Sequence, residues 1–355
     1  MKTPPFIAPG DTIGITAPSF GATTEPYKTR FKEAVKILKS MGYKIKIGST
    51  CKMHNGLGIS TKPEVAAKEL EEFYLDKEVK AIISCGGGEL MCETVSALNW
   101  EKIKNAPPKW FMGYSDNTNF IFPLVTKCNV PAIYGHCITG FGKPWEQCEK
   151  DNFALLTGEK LTVSGYSKFQ DPNDGTEKKE ENPLSPYILT KKKILKTFLP
   201  EENGSIKKAS SDTKIELNGT LLGGCLDVLY GLSGTPLEDV KKYKAKHKNI
   251  IWVLEACDYN PMDIRRAVWH LDQCGWFTDA KGFIIGRPLA AWKQNIMGVD
   301  QYNAVTDILK KYKMPIIMDA DVGHIAPSMP VIMGLEANVS VKGNSISIEK
   351  NMRIP

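Results

Sequence analysis

The sequence predicts an α/β protein with a doubly wound parallel sheet in its first half and a strand-richer mixed α/β domain in its second half. Strand-like and helix-like patterns alternate as far as the motif GYSDN, and such alternation is typical of parallel strands joined by crossover helices. The sequence becomes polar and rich in turn-forming residues between about residues 160 and 215, and strand-like runs dominate after that. At 355 residues the chain is also too long for one ordinary core, so we expect two domains.

The first half opens with the strand-like run DTIGITAPS and then a helix-like run in which Phe31, Val35 and Leu38 recur at helical spacing. The runs that follow are the strand YKIKIG, the helix KPEVAAKELEEFYLD, the strand VKAIIS, the helix ELMCETVSALN and the strand KWFMGY. Ligands of a doubly wound sheet bind at the carboxyl ends of its strands. The Gly86–Gly88 turn and Ser115 both follow such strand ends, which makes them candidate site residues.

The second half begins after a polar stretch rich in turn-forming residues, SKFQDPNDGTEKKEENPLSP, which is typical of a linker or a long surface loop. The strand-like runs after it are KIELNGTLLGGCLDVLYGL, NIIWVLEA, KGFIIGRPL, MPIIMDADVGH and NVSVKGNSISIEK, and the helix-like runs are PMDIRRAVWHLDQCG and QYNAVTDILKKYK. We therefore predict an N-terminal domain at residues 1–165, a linker or loop region at 166–210 and a C-terminal domain at 211–355.

The charge balance argues against a nucleic-acid partner. Lys and Arg number 46 against 40 Asp and Glu, which gives a formal net charge of +6 spread along the chain. The runs KKK at 191–193 and KKYKAKHK at 241–248 are more typical of solvated faces than of nucleic-acid patches. A small anionic substrate is compatible with this mild excess of positive charge.

Nothing in the sequence indicates a membrane or an oxidising compartment. The N-terminal stretch MKTPPFIAPGDTIGI lacks the apolar run of a signal peptide, and no segment approaches the ~18 consecutive apolar residues of a membrane span. The nine cysteines are scattered and contain no C-x-x-C pair. We therefore expect a reduced, cytoplasmic protein without disulfides, structural zinc or a membrane partner.

Ser115 lies where the strand-like run KWFMGY meets the helix-like run DNTNFIFPLV. Serine and aspartate are preferred at helix N-caps, so a capping role is one interpretation. The other is a nucleophile on a sharp strand-to-helix turn, although G-Y-S-D-N differs from the hydrolase pattern G-x-S-x-G. This motif alone leaves both interpretations open.

The glycine-rich turn SCGGGEL, residues 84–90, lies between a strand and a helix. Bare backbone N–H groups and the helix dipole favour an anion or an oxyanion at such a turn. The turn lacks the Lys-Ser/Thr of a P-loop and the spacing of a dinucleotide fingerprint, and Glu89 would repel a phosphate. An oxyanion hole for acyl transfer fits better than a nucleotide site, while a tight packing turn stays an alternative.

A serine nucleophile needs a base, and the base needs an acceptor that orients it. The chain has five histidines, which are His54, His136, His247, His270 and His324. His324 follows a buried-looking strand and enters a proline-punctuated loop, which favours it as a base aimed into a cleft. His136 also follows a strand and is a second candidate for lining the site. Glu255 ends the apolar strand IIWVL, where a charge is costly unless a partner such as an imidazole neutralises it.

The order of these motifs resembles the LD-carboxypeptidase family of serine peptidases, which includes muramoyl-tetrapeptide carboxypeptidases and microcin-C immunity hydrolases. The resemblance covers nearly the whole chain. The motifs that carry it are TAPS (16–19), GGG (86–88), GYSDNT (113–118), NGTLLGGCLDVL (218–229), LEACD (254–258), KGFIIGR (281–287) and GHIAPSMPVIMG (323–334).

The resemblance implies Ser115 as the nucleophile, His324 as the general base and Glu255 as the residue that orients the imidazole. It also implies an oxyanion hole made by the N–H of Asp116 and an N–H of the Gly87–Gly88 turn. On this interpretation Asp116, rather than the serine, caps the helix that follows.

The resemblance further implies a Rossmann-like N-terminal domain, a β-rich mixed α/β C-terminal domain and a catalytic cleft between them. Members of the family are usually homodimers and use no metal or other cofactor, and we expect the same here.

This sequence departs from the family at several positions near the predicted oxyanion turn. Many relatives have an arginine just before the paired glycines where this chain has Cys85, and an aromatic or small polar residue where it has Gly88. A proline often stands where this chain has His136. We assign Glu89 and His136 as candidate substrate contacts.

The expected reaction is an L,D-carboxypeptidase step that releases the terminal D-alanine of a murein tetrapeptide during cell-wall recycling. An alternative is an immunity-type hydrolase that cleaves peptidyl or aminoacyl nucleotides, for which relatives supply a tryptophan platform on the inter-domain loop. This chain has no tryptophan between Trp145 and Trp252, while Tyr187 and Phe169 remain candidates for stacking on a base. A non-catalytic module that holds an anion at the glycine turn is an alternative from another class.

Overall fold

The computed structural model describes residues 1–175 and 182–351. It divides into two compact units, the first built mainly from Met1–Lys160 with Pro330–Gly334 and the second mainly from Tyr187–Met329. Residues 176–181, inside the stretch predicted as a linker, lie outside the described residues.

The strands in chain order are β1 (Thr12–Thr16), β2 (Lys44–Ile47), β3 (Val79–Ser84), β4 (Trp110–Gly113), β5 (Ala132–Tyr134), β6 (Thr162–Ser164), β7 (Lys168–Phe169), β8 (Lys191–Lys192), β9 (Lys196–Pro200), β10 (Ile206–Lys208), β11 (Lys214–Cys225), β12 (Ile250–Glu255), β13 (Ala280–Gly286), β14 (Asn295–Ile296), β15 (Val299–Asp300), β16 (Ile316–Ala320), β17 (Val331–Met333), β18 (Glu336–Lys342) and β19 (Ser345–Lys350).

The helices are α1 (Tyr27–Ser40), α2 (Pro63–Leu75), α3 (Met91–Ser96), α4 (Trp100–Asn105), α5 (Thr118–Thr126), α6 (Gln147–Thr157), α7 (Leu226–Leu232), α8 (Val240–Lys246), α9 (Pro261–Gln273) and α10 (Asn303–Leu309). Short 3₁₀ segments lie at Ser49–Lys52, Ser115–Asn117, Ile138–Gly142 and Lys310–Tyr312.

The sheet of the first unit has six strands in the order β17-β5-β4-β3-β1-β2. The strands β1 to β5 pair in parallel, and β17 joins β5 in the antiparallel sense. Helices between successive strands cover the sheet, so β4 is buried throughout and β3 is buried at every residue but Lys80. Strands covered on both faces need nearly continuous apolar sequence, which the runs VKAIIS and WFMG provide. The predicted doubly wound parallel sheet is confirmed.

Helix α1 buries Phe31, Ala34 and Leu38 against this unit, and Val35 is half-buried. The 3.6-residue period of its apolar side chains therefore places them on one face of the helix, as the sequence predicted. Helix α5 differs because every one of its residues is buried, including Pro123.

The sheet of the second unit has nine strands in the order β10-β9-β16-β13-β12-β11-β18-β19-β6. Its centre, β11 to β13 with β16, is parallel, and antiparallel strands flank the centre on both sides. The C-terminal run VSVKGNSISI forms the predicted hairpin of β18 and β19. This unit is therefore the β-rich mixed α/β domain expected from the sequence.

The sequence-based domain limits differ from the units at their edges. Strand β6, which lies within the predicted N-terminal domain, pairs with β19 in the sheet of the second unit. Strands β9 and β10, which lie within the predicted linker, extend the other edge of the same sheet. These edge strands are three to five residues long, with the sequences TVS, KTFLP and IKK, so they are too short to show the apolar alternation that predicts a strand.

Four strand ends position the candidate site residues. In the first unit, Gly86–Gly88 follows β3 and Ser115 follows β4. In the second unit, Glu255 is the last residue of β12 and His324 lies in the loop after β16.

Among the described residues, no helix has both the length and the apolar character needed to cross a bilayer.

Candidate active site

Ser115 adopts a left-handed backbone conformation at the end of β4. Its φ is +62°, and its N–H donates a hydrogen bond of 3.0 Å to the phenol oxygen of Tyr134. A non-glycine residue in this region costs on the order of 1–3 kcal/mol, so the surrounding structure must impose it. The N-cap residue of α5 is Asn117, not Ser115. The backbone at Ser115 therefore has the sharp turn of a nucleophile elbow.

The glycine turn after β3 packs against the side chain of Ser115. A methyl group at Gly87 would lie 3.3 Å from Cβ and 3.4 Å from Oγ of Ser115. A methyl group at Gly88 would lie 2.1 Å from Oγ of Ser19, which leaves no room for any side chain there. Within the first unit, the structure thus brings together Ser115 and the turn predicted to form the oxyanion hole.

Asp116 is buried and its carboxylate joins three segments of the first unit. One oxygen accepts hydrogen bonds from Oγ of Ser19 at 2.5 Å and from the backbone N–H of Met91 at 3.0 Å. The other accepts a hydrogen bond of 2.7 Å from the side-chain amide of Asn119. Burial, which disfavours the charged form, raises the pKa of this carboxyl group.

The expectation that Asp116 caps the helix after it needs correction. A 3₁₀ segment, Ser115–Asn117, separates Asp116 from the start of α5. The backbone N–H that its carboxylate binds is that of Met91, the first residue of α3. The Asp116 carboxylate therefore accepts a backbone N–H at the start of α3, the helix that follows the glycine turn, and does not cap α5.

In the second unit, His324 and Glu255 form a close pair. Nδ1 of His324 lies 2.8 Å from Oε2 of Glu255, and the Glu255 side chain is fully buried. Because a carboxylate only accepts, the ring donates its Nδ1–H to the glutamate. A methyl group at Gly323, where φ is +112°, would lie 2.5 Å from Oε2, so glycine permits this approach.

The pKa of His324 stands well above its usual value. Burial alone disfavours the imidazolium and would lower the pKa, but the adjacent Glu255 carboxylate attracts the positive charge and outweighs it. The thiol of Cys257 also hydrogen-bonds the His324 side chain and contributes in the same direction.

A buried ionic cluster that the sequence analysis did not identify holds the chain just before His324. Asp321 accepts from Nη2 of Arg287 at 2.5 Å and pairs with Nζ of Lys193 at 3.0 Å. The Arg287 side chain also donates to the backbone carbonyl of Asp319 at 2.9 Å. Arg287 lies directly after β13, so its position at the end of a buried strand was the signal that could have identified it.

A basic pocket opens in the second unit, with an open volume of about 1230 Å³. Its charged lining comprises five cationic side chains, Lys191, Lys192, Lys196, Arg287 and Lys293, and three carboxylates, Asp171, Asp300 and Asp319. Two further lining residues, Phe169 and Trp292, pack with Ile325, the neighbour of His324 in the sequence. The basic pocket therefore shares packing contacts with the loop that carries the imidazole.

The two candidate substrate contacts lie in different environments. Glu89 is exposed, directly after the glycine turn. His136 is buried, with Nε2 3.6 Å from an oxygen of Glu149 and its ring at right angles to that of Phe141. Neither observation includes a substrate, so both assignments stay predictions.

The sequence pattern of the LD-carboxypeptidase N-terminal domain matches residues 13–135, and that of the LD-carboxypeptidase C-terminal domain matches residues 218–339. Together these matches cover more than half of the chain. The chain belongs to the LD-carboxypeptidase family. It is accordingly a serine carboxypeptidase, as the order of its motifs predicted.

Relatives of both expected kinds are found within this family. A probable murein peptide carboxypeptidase of Bacillus subtilis is 22% identical over 98% of this chain and 94% of the relative. The microcin C7 self-immunity protein MccF of Escherichia coli is 25% identical over 96% of this chain and 94% of the relative.

Solved structures share the fold. MccF in complex with glutamyl sulfamoyl guanosine superposes with a TM-score of 0.77 at 21% identity, with 98% of each chain covered. A muramoyltetrapeptide carboxypeptidase of Oxalobacter formigenes superposes with a TM-score of 0.70 at 18% identity, covering 97% of this chain and all of that one. The fold of this chain is therefore that of the LD-carboxypeptidases and MccF.

Proposed function

We propose that the chain is an L,D-carboxypeptidase that removes the terminal D-alanine of a murein tetrapeptide with Ser115, His324 and Glu255. The observation that carries the proposal is the buried contact of Nδ1 of His324 with Glu255. When Nδ1–H is held by a carboxylate, Nε2 carries the lone pair that can take a proton from a serine hydroxyl. The left-handed backbone at Ser115 supports its assignment as the nucleophile.

The proposed reaction is an acyl transfer in two steps. Oγ of Ser115 attacks the amide carbonyl carbon while Nε2 of His324 takes the hydroxyl proton. The resulting imidazolium gives this proton to the leaving amine of D-alanine, and the acyl group stays on the serine. Water then attacks the ester carbonyl carbon with the same imidazole as base. The bond between the acyl group and Oγ of Ser115 breaks, the imidazolium returns its proton to Oγ, and the shortened peptide leaves as the acid. Glu255 stabilises the imidazolium that forms in both steps.

The oxyanion of the tetrahedral intermediate is proposed to bind the N–H of Asp116 and an N–H of the Gly87–Gly88 turn. The packing of Gly87 against the Ser115 side chain supports this assignment. The hydrogen bonds of the buried Asp116 carboxylate support it too, because preorganised donors stabilise developing charge without reorganising.

The choice of substrate rests on the basic pocket. A murein tetrapeptide carries several carboxylates. Two of the five cationic side chains of the pocket, Arg287 and Lys293, pair with carboxylates, and three further lysines line the pocket. Glu89 and His136 remain the candidate contacts on the first unit.

Hydrolysis of an aminoacyl nucleotide is the second candidate, because MccF is a relative and has been solved with glutamyl sulfamoyl guanosine and with aspartyl sulfamoyl adenosine. A nucleobase needs an open aromatic face. Phe169 and Trp292 are only 5% and 8% exposed, and the guanidinium of Arg287 lies 4.4 Å from the Phe169 ring centre. The Tyr302 ring has Nζ of Lys196 3.6 Å from its centre. These covered rings favour the peptide substrate, while the half-buried Tyr187 stays a candidate for stacking on a base.

The test compares the wild-type chain with Ser115→Ala and the control Ser96→Ala, an exposed serine on α3. Each protein is incubated with a murein tetrapeptide and, separately, with an aminoacyl sulfamoyl nucleotide. We expect free D-alanine from wild type and Ser96→Ala, and a loss on the order of 10⁴ in rate for Ser115→Ala. Release of D-alanine by Ser115→Ala at the wild-type rate would refute the assignment of Ser115 as the nucleophile. Cleavage of the aminoacyl sulfamoyl compound without cleavage of the tetrapeptide would replace the murein peptide by the aminoacyl nucleotide as the assigned substrate.

We also propose that the chain works in the cytoplasm, as a homodimer, in cell-wall recycling. Family membership supports these assignments. Multi-angle light scattering of the purified chain and fractionation of cells that produce it test the first two. A monomer at all concentrations, or recovery outside the cytoplasmic fraction, would contradict the corresponding assignment.

A further inference from the structure

Three side chains that can ligate a metal meet inside the first unit. His136 follows β5, and Cys148 and Glu149 lie in the first turn of α6. Their ligand atoms all lie within 4.8 Å of one another. The residues are 7%, 1% and 0% exposed, respectively, so the cluster is shielded from solvent.

Two polar atoms of this cluster have no hydrogen-bond partner among the described residues. They are Nε2 of His136 and Oε1 of Glu149, and they lie 3.6 Å apart. A hydrogen bond between them would measure about 2.7–3.2 Å. Leaving a buried polar atom unsatisfied costs about 1–3 kcal/mol, so this arrangement is unfavourable by itself.

The same separation suits two ligands of one ion. A nitrogen and an oxygen at about 2.0–2.2 Å from a tetrahedral zinc ion are about 3.4 Å apart. The observed 3.6 Å therefore lies closer to the spacing of shared coordination than to that of a hydrogen bond.

Other contacts hold the backbone of His136 and the side chain of Glu149 in place. The backbone N–H of His136 donates to the amide oxygen of Asn152 at 2.7 Å, and Oε2 of Glu149 accepts from the N–H of Glu146 at 2.9 Å in a capping box. The capping bond occupies Oε2 and leaves Oε1 facing the imidazole. At Gly140, a methyl group would lie 2.9 Å from Cγ of His136, so glycine leaves space for the ring.

We propose that His136, Cys148 and Glu149 form a structural zinc site that ties the loop after β5 to the start of α6. Nitrogen, sulfur and carboxylate donors together suit Zn²⁺, and a thiolate ligand disfavours Mg²⁺ and Ca²⁺. A thiolate and a carboxylate neutralise the two charges of the ion, so the filled site adds no net charge to the interior. A water completes the tetrahedron. The zinc ion performs no step of the proposed hydrolysis, and its binding would remove His136 from the candidate substrate contacts.

Binding displaces one proton. Zinc binds cysteine as the thiolate, so the thiol of Cys148 must lose its proton on coordination. Coordination forms the zinc–sulfur bond and releases that proton to solvent.

The N-terminus of α6 opposes a cation, since a helix N-terminus carries about half a positive charge. That opposition amounts to about 0.3–1 kcal/mol in exposed settings, whereas structural zinc sites bind with roughly 10–16 kcal/mol. The helix dipole is therefore too weak to prevent zinc from binding. The sequence predicted no structural zinc because it has no C-x-x-C pair, but this site draws its ligands from a loop and a helix.

The test uses the full chain, treated with chelator and then titrated with Zn²⁺ by calorimetry, with metal content measured after dialysis. Co²⁺ serves as the spectroscopic probe because thiolate ligation gives a sulfur-to-cobalt charge-transfer band. The variants are Cys148→Ala and Glu149→Gln, whose amide oxygen can still accept the capping N–H. The control is Cys128→Ala, a buried cysteine of the first unit outside the cluster.

We expect wild type and Cys128→Ala to bind one zinc ion per chain, to show the band and to melt at higher temperature with zinc. Cys148→Ala should lose the band, and both cluster variants should lose more than the roughly 10–100-fold in affinity that an outer-shell change costs. Absence of the band in wild type overturns the proposal, and so does unchanged affinity in Glu149→Gln. These two results decide the matter even if Cys148→Ala does not fold.

Discussion

His324 and Glu255 lie 69 residues apart in the sequence, and their side chains meet at 2.8 Å between Nδ1 and Oε2. The contact links the loop after β16 to the last residue of β12 within one parallel sheet. Because Glu255 is fully buried, the imidazole is its counter-charge whenever the ring is protonated. The pair therefore controls both the orientation and the basicity of His324.

Replacing Glu255 with glutamine should shift the pH profile of the enzyme to lower pH. His324 acts as a base only when neutral, and Glu255 holds its pKa well above the usual value of about 6.5. In wild type, kcat/KM should thus rise with pH through this raised pKa. In Glu255→Gln the carboxylate is lost and burial lowers the pKa, so the rise moves to lower pH.

The maximal rate of Glu255→Gln should also fall, by on the order of 10²–10⁴, because the imidazolium formed in the reaction loses its stabilising charge. The measurement is kcat/KM against pH for both proteins, together with a titration of the His324 ring by NMR. An acid limb at the same pH in both proteins would contradict the assigned role of Glu255.

Gly87→Ala should slow hydrolysis while leaving the fold intact. The added methyl group would lie 3.3 Å from Cβ of Ser115 and displace the nucleophile by a few tenths of an ångström. Since a displacement of about 1 Å can cost 10²-fold in rate, we expect a loss of about tenfold. Gly231→Ala in α7 is the control, because its methyl group meets no atom within 4 Å. Equal rates in both variants would argue against close packing at the nucleophile.

Tyr134→Phe should lower both stability and activity. The phenol oxygen accepts the N–H of Ser115 at 3.0 Å, and the loss of such a hydrogen bond costs about 0.5–1.5 kcal/mol. Tyr74→Phe is the matched control, because its buried hydroxyl has no hydrogen-bond partner among the described residues. Thermal unfolding and kcat/KM measure the effect. A Tyr134→Phe protein as stable and active as Tyr74→Phe would refute a supporting role for this contact.

Asp321→Asn should destabilise the second unit markedly. The carboxylate neutralises Arg287 and Lys193, and leaving buried charges uncompensated costs about 3–5 kcal/mol. Glu216→Gln is the control, because it removes an ion pair with Lys214 at the surface and should leave the unfolding midpoint unchanged. Denaturant unfolding of the three proteins gives the comparison, and equal midpoints would show that the buried cluster contributes no stability.

Local pattern was sufficient to predict the central sheet of the first unit and the strand ends that carry Ser115, Glu255 and His324. Apolar runs of four to six residues bounded by turns mark buried parallel strands, and the carboxyl end of each run marks the place for a functional side chain.

Contacts between distant segments were not predictable in this way. The Asp116 carboxylate binds Met91, 25 residues earlier in the chain, and Asp321 binds Arg287, 34 residues earlier. The partners of a buried charge depend on which segments the fold brings together. The edge strands β6, β9 and β10 were missed for a related reason, since their pairing is determined by the neighbouring strand rather than by their own apolar pattern.

With Ser115 as the proposed nucleophile, its left-handed backbone means that folding and catalysis favour different residues at this position. A chain selected for thermal robustness alone would place glycine there, because glycine adopts a φ of +62° without steric penalty. On the proposed role of Ser115, the chain gives up some stability at this position in exchange for a nucleophilic hydroxyl. The contacts of the Gly87–Gly88 turn, Tyr134 and Asp116 hold the strained backbone in place.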